Sequence, residues 1–399
     1  MAEVQQVEVA VVGAGPAGVA AASRAAEAGA RVLVLDEAPA VGGQIWRSSP
    51  GGQDPPIAAR RWLERLRVSG ARVRPGFVVV DAPEPHSLLA ASSDGATLRV
   101  QAGALVIATG ARERFLPFPG WTLPGVLGAG GAQALLKSGA SFGGLRVAVA
   151  GSGPLLLPVA AALRRGGAKL VTVVEQAPAA RLLRLAASLL RQPRKLRDAL
   201  AYRLAFPTTA YRVGTWVTAA HGDDRLEAIT LSDGTRAPCD VLAIGYGLTP
   251  NLELPSLIGC SIEKDGVRVG ETQETSVPDV YAAGEITGIA GVDQALLEGQ
   301  IAGLAAAGRA EAARPLFAAR ARCLSFAHSL AVAFALRPEL KRLAPPDTIV
   351  CRCEDVPLDR LNPGWDPRQA KLATRCGMGA CQGRVCGSAL EFLLGWSAD

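Results

Sequence analysis

Histidine is almost missing from this 399-residue chain: His86, His221 and His328 are the only three, and none adjoins a cofactor motif. With no Ser–His or paired-carboxylate constellation, the usual machinery of nucleophilic and acid–base catalysis is lacking. Long apolar runs are missing too. The longest, about Cys323 to Leu336, carries His328 and two serines; it is too short to span a bilayer and reads as a buried helix. The chain starts Met1-Ala-Glu-Val-Gln-Gln and runs straight into a strand, without the basic and apolar regions of a signal peptide. A reducing cytoplasm is the expected compartment, with any contact to the inner membrane peripheral and made through a complex. Zinc-finger, homeodomain and RNA-binding signatures are lacking, so nucleic acid is not an expected partner.

What is present is an apolar-rich but mixed composition, 49% hydrophobic and 20% charged, which excludes disorder over most of the length. The length suits two or three domains. The net charge is +6, part of it in Arg181, Arg184, Arg191, Arg194, Lys195, Arg197 and Arg203, interleaved with leucines. A basic, leucine-spaced helix can dock a partner or an anionic ligand, but a solvated helix face is the expected state.

Val7-Glu-Val-Ala-Val-Val12 is a β-rich run that stops at Gly13-Ala-Gly15-Pro16-Ala17-Gly18, before an alanine-rich helix. A second strand, Arg31 to Leu35, ends on Asp36-Glu37. In this pattern Gly13 permits a tight turn, Gly15 lets backbone approach a pyrophosphate, and Gly18 lets helix and strand pack closely. Exposed N–H groups and the dipole at the helix start attract the diphosphate, and Asp36 is spaced to accept hydrogen bonds from a ribose. Three later segments, Gly42-Gly43-Gln44, the strand end Ala108-Thr109-Gly110, and Gly284-Glu285 before a helix opening near Gln294, resemble the FAD-binding set of two-dinucleotide-binding-domain flavoproteins. That family, which includes the disulfide reductase-like enzymes, usually has Asp at position 285, where it holds the ribitol chain. The positive end of the helix at Gln294 would face the flavin pyrimidine.

A second βαβ unit follows. Leu145 to Ala150 leads into Gly151-Ser-Gly153-Pro-Leu-Leu156, then a helix and a strand ending on Glu175. The third glycine position is Leu156, whose side chain pushes helix and strand apart. Glu175 suits an unphosphorylated adenosine ribose, so NAD or another adenine nucleotide (ATP or ADP) is the expected ligand rather than NADP; the competing reading is a scaffold that has lost hydride exchange. No Cys-x-x-Cys lies between Gly130 and Phe142, which argues against dithiol relay.

Five of the eight cysteines fall in the last fifty residues: Cys351, Cys353, Cys376, Cys381 and Cys386. Thiolates so gathered bind a two-iron cluster, two on each iron, or close a tetrahedral zinc site. Cys239, Cys260 and Cys323 stand singly in apolar stretches and read as small core residues.

The tail, Cys351-Arg-Cys353-Glu-Asp with Thr374-Arg-Cys376-Gly-Met-Gly-Ala-Cys381-Gln-Gly-Arg-Val-Cys386, resembles the [2Fe–2S] domain of bacterioferritin-associated ferredoxin type. Together with Gly42-Gly-Gln-Ile-Trp46, Ala108-Thr-Gly-Ala-Arg-Glu-Arg114 and Pro119-Gly-Trp-Thr-Leu-Pro-Gly125, it resembles over nearly the whole chain the α (A) subunits of opine oxidases, D-hydroxyproline dehydrogenase and hydrogen cyanide synthase. The resemblance implies an α/β fold of two Rossmann-like dinucleotide-binding domains plus the small iron–sulfur domain. The boundaries expected are 1–120 with 240–310 for FAD, 121–239 for the second nucleotide, a helical linker at 311–347, and 348–399 for the cluster. It implies Cys351, Cys353, Cys381 and Cys386 as ligands, with Cys376 in place of Cys386 as the other set. It further implies an electron-handling role within a complex. The partners would be a β subunit of D-amino-acid-oxidase type, which carries its own FAD and oxidises an opine, D-hydroxyproline or a related amine, and a small ferredoxin-like γ subunit. The other expectation is a self-contained NAD(P)H-dependent reductase feeding the cluster. A third treats the second Rossmann unit as a nucleotide-binding scaffold for assembly.

Overall fold

The structure, a computed structural model, describes residues 3–46, 56–190, 192–263 and 266–396. It divides into two compact units, Met1–Arg112 with Pro250–His328, and Glu113–Thr249 with Ser329–Asp399. Both are α/β.

In the first unit, near-continuous runs of Val, Leu and Ala make strands that are buried on both faces, the mark of a parallel sheet. The order is Arg72–Pro75, Val32–Asp36, Glu3–Val12, Thr97–Ile107, with Val280–Ala282 parallel to the last and Ser87–Ser92 and Phe77–Glu84 continuing the sheet antiparallel. Val12 pairs with both Leu35 and Ile107, and Ile107 pairs with Ala282. Four strand ends therefore share one edge, where open α/β sheets bind their ligands. Helix Pro16–Glu27 packs on helix Val292–Ala306 at glycine. A Cβ on Gly299 would lie 2.1 Å from the Ala17 carbonyl oxygen, and one on Gly303 2.1 Å from that of Ala21. Only residues without a side chain let the two backbones approach so closely.

The second unit carries a parallel sheet in the order Ala210–Val213, Lys169–Glu175, Arg146–Ser152, Val241–Tyr246, Val126–Gly128. Helix Leu156–Arg165 crosses from its third strand to its second, and two short helices, Ala179–Leu189 and Pro193–Leu204, precede Ala210–Val213. The cysteine-bearing tail folds as part of this unit. Its hairpin pairs Ile349–Cys351 with Val356–Pro357, and helices Pro367–Thr374 and Cys386–Leu394 follow. Asp366 starts the first of these with a capping box: it accepts the Gln369 backbone N–H while the Gln369 side chain accepts the Asp366 N–H. The Trp121 indole N–H donates to the Ile349 carbonyl at 2.6 Å, and Leu340 and Leu343 enter the same core as Phe118, Trp121 and Val217.

Two expectations need correction. Helix Arg314–Ala333, which contains most of the longest apolar run, buries only Ala333 among its residues, and Val332 is 56% exposed. Arg320, Arg322, Ser325, His328 and Ser329 ring the helix and leave no continuous apolar stripe. Cys239 and Cys260 are buried as expected, but Cys323 on this same helix is half-buried.

Candidate functional site

At the shared strand edge of the first unit, Gly13 adopts φ +100°, and a Cβ there would sit 2.3 Å from the Ala108 carbonyl oxygen; one on Gly18 would sit 1.7 Å from that of Gly13. Helix Pro16–Glu27 starts directly after Gly15 with no side-chain cap. Its first-turn N–H groups thus face the strand edge beside half-buried Gly13 and Gly15. The Gly42–Gly43 loop closes over the same glycines: Gly42 N–H donates to the Ala14 carbonyl at 2.8 Å, and a Cβ on Gly43 would lie 2.8 Å from Gly15 Cα. Gln44 is exposed beside it. Asp36 is buried, accepting the Ala38 N–H at 2.7 Å and the Ala14 N–H, whereas Glu37 points to solvent. Thr109 is clamped to Asn251, which donates to the Thr109 carbonyl at 2.8 Å and whose own carbonyl accepts the Thr109 hydroxyl at 3.2 Å.

The far wall is a network that sequence reasoning missed. Glu298, buried in helix Val292–Ala306, accepts Gly284 N–H at 2.9 Å, the Thr287 hydroxyl at 2.7 Å and Gln294 Nε2–H at 2.7 Å. That last bond turns the Gln294 amide so that its Oε1 is buried with no partner. Burial pushes the Glu298 and Glu285 carboxyls up from the usual carboxylate range. The signal available in sequence was only the helical spacing Gln294–Glu298, which alone names no role. An open glycine cradle, an uncapped helix start and an unpartnered carbonyl oxygen next to them fit a dinucleotide with a hydrogen-bonding ring system.

The second glycine loop differs in its openness and in its helix start, while its acid, Glu175, bonds the loop as Asp36 does. Gly151 and Gly153 are buried, not half-open. Helix Leu156–Arg165 begins three residues after Gly153 instead of one, with Leu156 N–H turned back to the Gly153 carbonyl at 3.2 Å. Leu156 itself is buried where a third glycine would stand. Glu175 is fully buried and accepts Gly153 N–H and Ala177 N–H, each at 2.8 Å; burial pushes its carboxyl up to about 7. Residues 334–337 lie across these strand ends. The Ser152 hydroxyl donates to the Phe334 carbonyl at 3.0 Å, Arg337 N–H donates to Gln176 Oε1 at 3.2 Å, and the Arg181 guanidinium donates to the Ala335 carbonyl at 2.9 Å. The Arg337 guanidinium stacks on Trp216, 4.8 Å from the ring centre.

In the tail, the Sγ atoms of Cys351, Cys376 and Cys386 lie within 4.8 Å of one another, all buried. Cys353 is exposed, Cys381 is half-buried, and their thiols are hydrogen-bonded to each other. The compact group thus holds two of the four expected ligands, Cys351 and Cys386, together with Cys376, while Cys353 and Cys381 form a second pair. Burial opposes ionisation of Cys381, but N–H groups of Val385, Gly383 and Arg384 and the Cys353 thiol outweigh it and hold the Cys381 thiol below its usual range. Cys386 goes the other way: hydrogen bonding to Cys376, then burial, pushes its thiol up. The loop bends through Arg375, Gly377, Gln382 and Gly383, all at positive φ, and a Cβ on Gly379 would meet Cys353 Cβ at 2.3 Å. Soft sulfur donors alone, wrapped by a tight loop of backbone N–H groups, fit iron–sulfur or zinc.

The model of the pyridine nucleotide-disulphide oxidoreductases matches residues 7–310. The chain belongs to that family. It is an oxidoreductase, and the family implies FAD. The opine oxidase A subunit of Agrobacterium tumefaciens (strain Ach5) is 33% identical over 96% of this chain and 84% of its own length. The HcnB subunit of hydrogen cyanide synthase from Pseudomonas aeruginosa is likewise 33% identical, over 94% of this chain and 90% of its own length. Within the family, the chain groups with these relatives, each of which is named as a subunit of its enzyme. Among solved structures, thioredoxin reductase from T. acidophilum matches 76% of this chain and 98% of its own with a TM-score of 0.60 at 23% identity. L-Proline dehydrogenase from P. horikoshii matches 99% of this chain and 75% of its own with a TM-score of 0.69 at 19% identity. The fold shared with the first stops short of the full chain, and the fold shared with the second takes in the cysteine tail. Among the described residues no helix is long and apolar enough to cross a membrane.

Proposed function

We propose that this chain is the electron-transfer subunit of a heteromeric amino-acid dehydrogenase for an opine, D-hydroxyproline or a related secondary amine. It binds FAD in the first unit and a [2Fe–2S] cluster on Cys351, Cys353, Cys381 and Cys386, while a separate subunit of D-amino-acid-oxidase type oxidises the substrate; a small ferredoxin-like subunit completes the set. The observation that carries the reading is the thiol centre of the tail, folded into a chain whose relatives across nearly its full length are oxidase and synthase subunits.

When bound, the flavin supplies two-electron exchange and the cluster one-electron exchange. The chain's own residues do the holding. The Gly13–Gly18 loop and the helix start behind it receive the diphosphate, Asp36 orders the loop, and Gln294, oriented by Glu298, presents an acceptor towards the ring. Glu285 stands at the sugar-chain position, one methylene longer than the usual Asp. Backbone N–H groups around Cys381 favour its thiolate, the form that ligates. The scarcity of histidine, and of any acid–base pair beside the cradle, supports chemistry on the substrate being done elsewhere.

Residues 334–337, bonded to Ser152 and Gln176 next to the buried Gly151, Gly153 and Glu175, support entry of electrons from a partner chain and not from NADH. The test is composition and reduction of the purified protein. About two irons and two sulfides per chain, with FAD, and no flavin bleaching on anaerobic addition of NADH, are expected. Stoichiometric zinc without sulfide, or rapid bleaching by NADH, would overturn the reading. So would efficient amine oxidation by the isolated chain with an artificial acceptor.

A further inference from the structure

Residues 179–204 hold seven of the chain's 42 Arg and Lys residues and only one of its 36 acids, Asp198. This span therefore carries a formal charge of +6, equal to that of the whole chain, and all other residues together balance to zero. It folds as the helices Ala179–Leu189 and Pro193–Leu204. The expectation from sequence is a solvated helix face. The structure leaves cations in water and, with them, several leucines. Leu185 is the only buried residue of the first helix and the second buries none. Leu183, Leu190 and Leu204 are 70%, 72% and 70% exposed. Ala180, Leu183, Ala187 and Leu190 recur at spacings of three and four along one exposed stripe, and Leu200 and Leu204 are four apart on the next helix. Arg184, Arg194 and Arg197 are exposed among them.

We infer that this helix pair is a docking surface for an anionic lipid bilayer. Charge complementarity selects an anionic occupant, because the entire excess charge of the protein is concentrated here. The mixture of charge with the leucines selects lipid over protein. The core of a protein interface is depleted of charge, which stays in the rim, whereas here exposed cations share the leucine-bearing faces, as Arg197 three residues before Leu200. In the headgroup layer each leucine enters the acyl boundary while its neighbouring guanidinium stays at the phosphates. With no membrane-spanning helix among the described residues, such adsorption is reversible and salt-sensitive. It is independent of what the thiol centre binds.

The test is co-sedimentation of the full-length flavoprotein with vesicles of phosphatidylcholine alone and of phosphatidylcholine with phosphatidylglycerol in equal parts. Binding to the anionic vesicles only, reversed by high salt, is expected. Arg184→Gln, Arg194→Gln and Arg197→Gln should each weaken it roughly fivefold, and together about a hundredfold. Leu183→Ser with Leu200→Ser and Leu204→Ser should weaken it while leaving its salt dependence. Retained flavin and an unchanged melting temperature show that the variants are folded. Equal binding to both vesicle types, or a triple-arginine variant that binds like wild type, refutes the proposal. It is equally refuted if no vesicles bind and the same variants instead lose a co-expressed subunit, since the surface would then be a protein interface.

Discussion

Glu175→Gln should remove one specific component of the protein's pH-dependent stability. Glu175 is fully buried, and burial raises its carboxyl from 4.5 to about 7. For a group raised in the folded state, stability is fully present below the unfolded value and is lost as pH climbs through the folded one. Wild type should therefore lose about 3 kcal/mol from this group between about pH 4.5 and about pH 7, and then level off. Gln keeps the shape and cannot titrate, but it leaves Gly153 or Ala177 N–H without its acceptor, which costs about 1–3 kcal/mol. The variant should be the less stable protein near pH 5 and close to parity near pH 8. Denaturant melts of both proteins across this range give the result directly, because Glu113, Glu285 and Glu298, also raised by burial, cancel in the difference. An offset between the two curves that stays constant with pH would refute the reasoning. It would mean that Glu175 is ionised in place, and a charged Glu175 could serve a ribose after all.

Cys386→Ser should abolish most of the bound iron and sulfide, whereas Cys376→Ser should keep about two irons per chain; equal loss in both variants would make Cys376 a ligand. Gly303→Ala puts a Cβ 2.1 Å from the Ala21 carbonyl oxygen and should cost about 1–3 kcal/mol, read as a lowered melting temperature, because backbone must move to admit it. Glu298→Ala removes the acceptor shared by Gly284, Thr287 and Gln294. It should weaken FAD retention at least tenfold, the effect of one lost charge-assisted bond, as measured by flavin released on dilution.

Much of the glycine cradle was legible because its chemistry is local. Gly13, Gly15 and Gly18 answer to turns and contacts within one βαβ unit, and Gly42–Gly43 returns to the same loop. Gly299 and Gly303 were silent for the opposite reason: their demand comes from Ala17 and Ala21, nearly three hundred residues away in the chain. Glu298 looked like any helix acid until its three donors converged. The second glycine loop shows the limit most clearly. Leu156 signalled erosion, but that residues 334–337 lie over Ser152 and Gln176 depends on a packing arrangement that no spacing encodes. The tail declared a clustered thiol set, while the neighbours of Cys376 emerged only once the loop through Gly377 and Gly383 had closed.

The bond from the Trp121 indole to the Ile349 carbonyl, with Leu340 and Leu343 sunk into the core around Trp121, seats the thiol centre on its host sheet like a keystone. A carrier that swings on a tether picks up its cargo in one place and delivers it in another. This centre is built in, so on the proposed electron-transfer role its donors and acceptors would travel to it, and mutations at Trp121 should loosen the centre before they disturb any ligand.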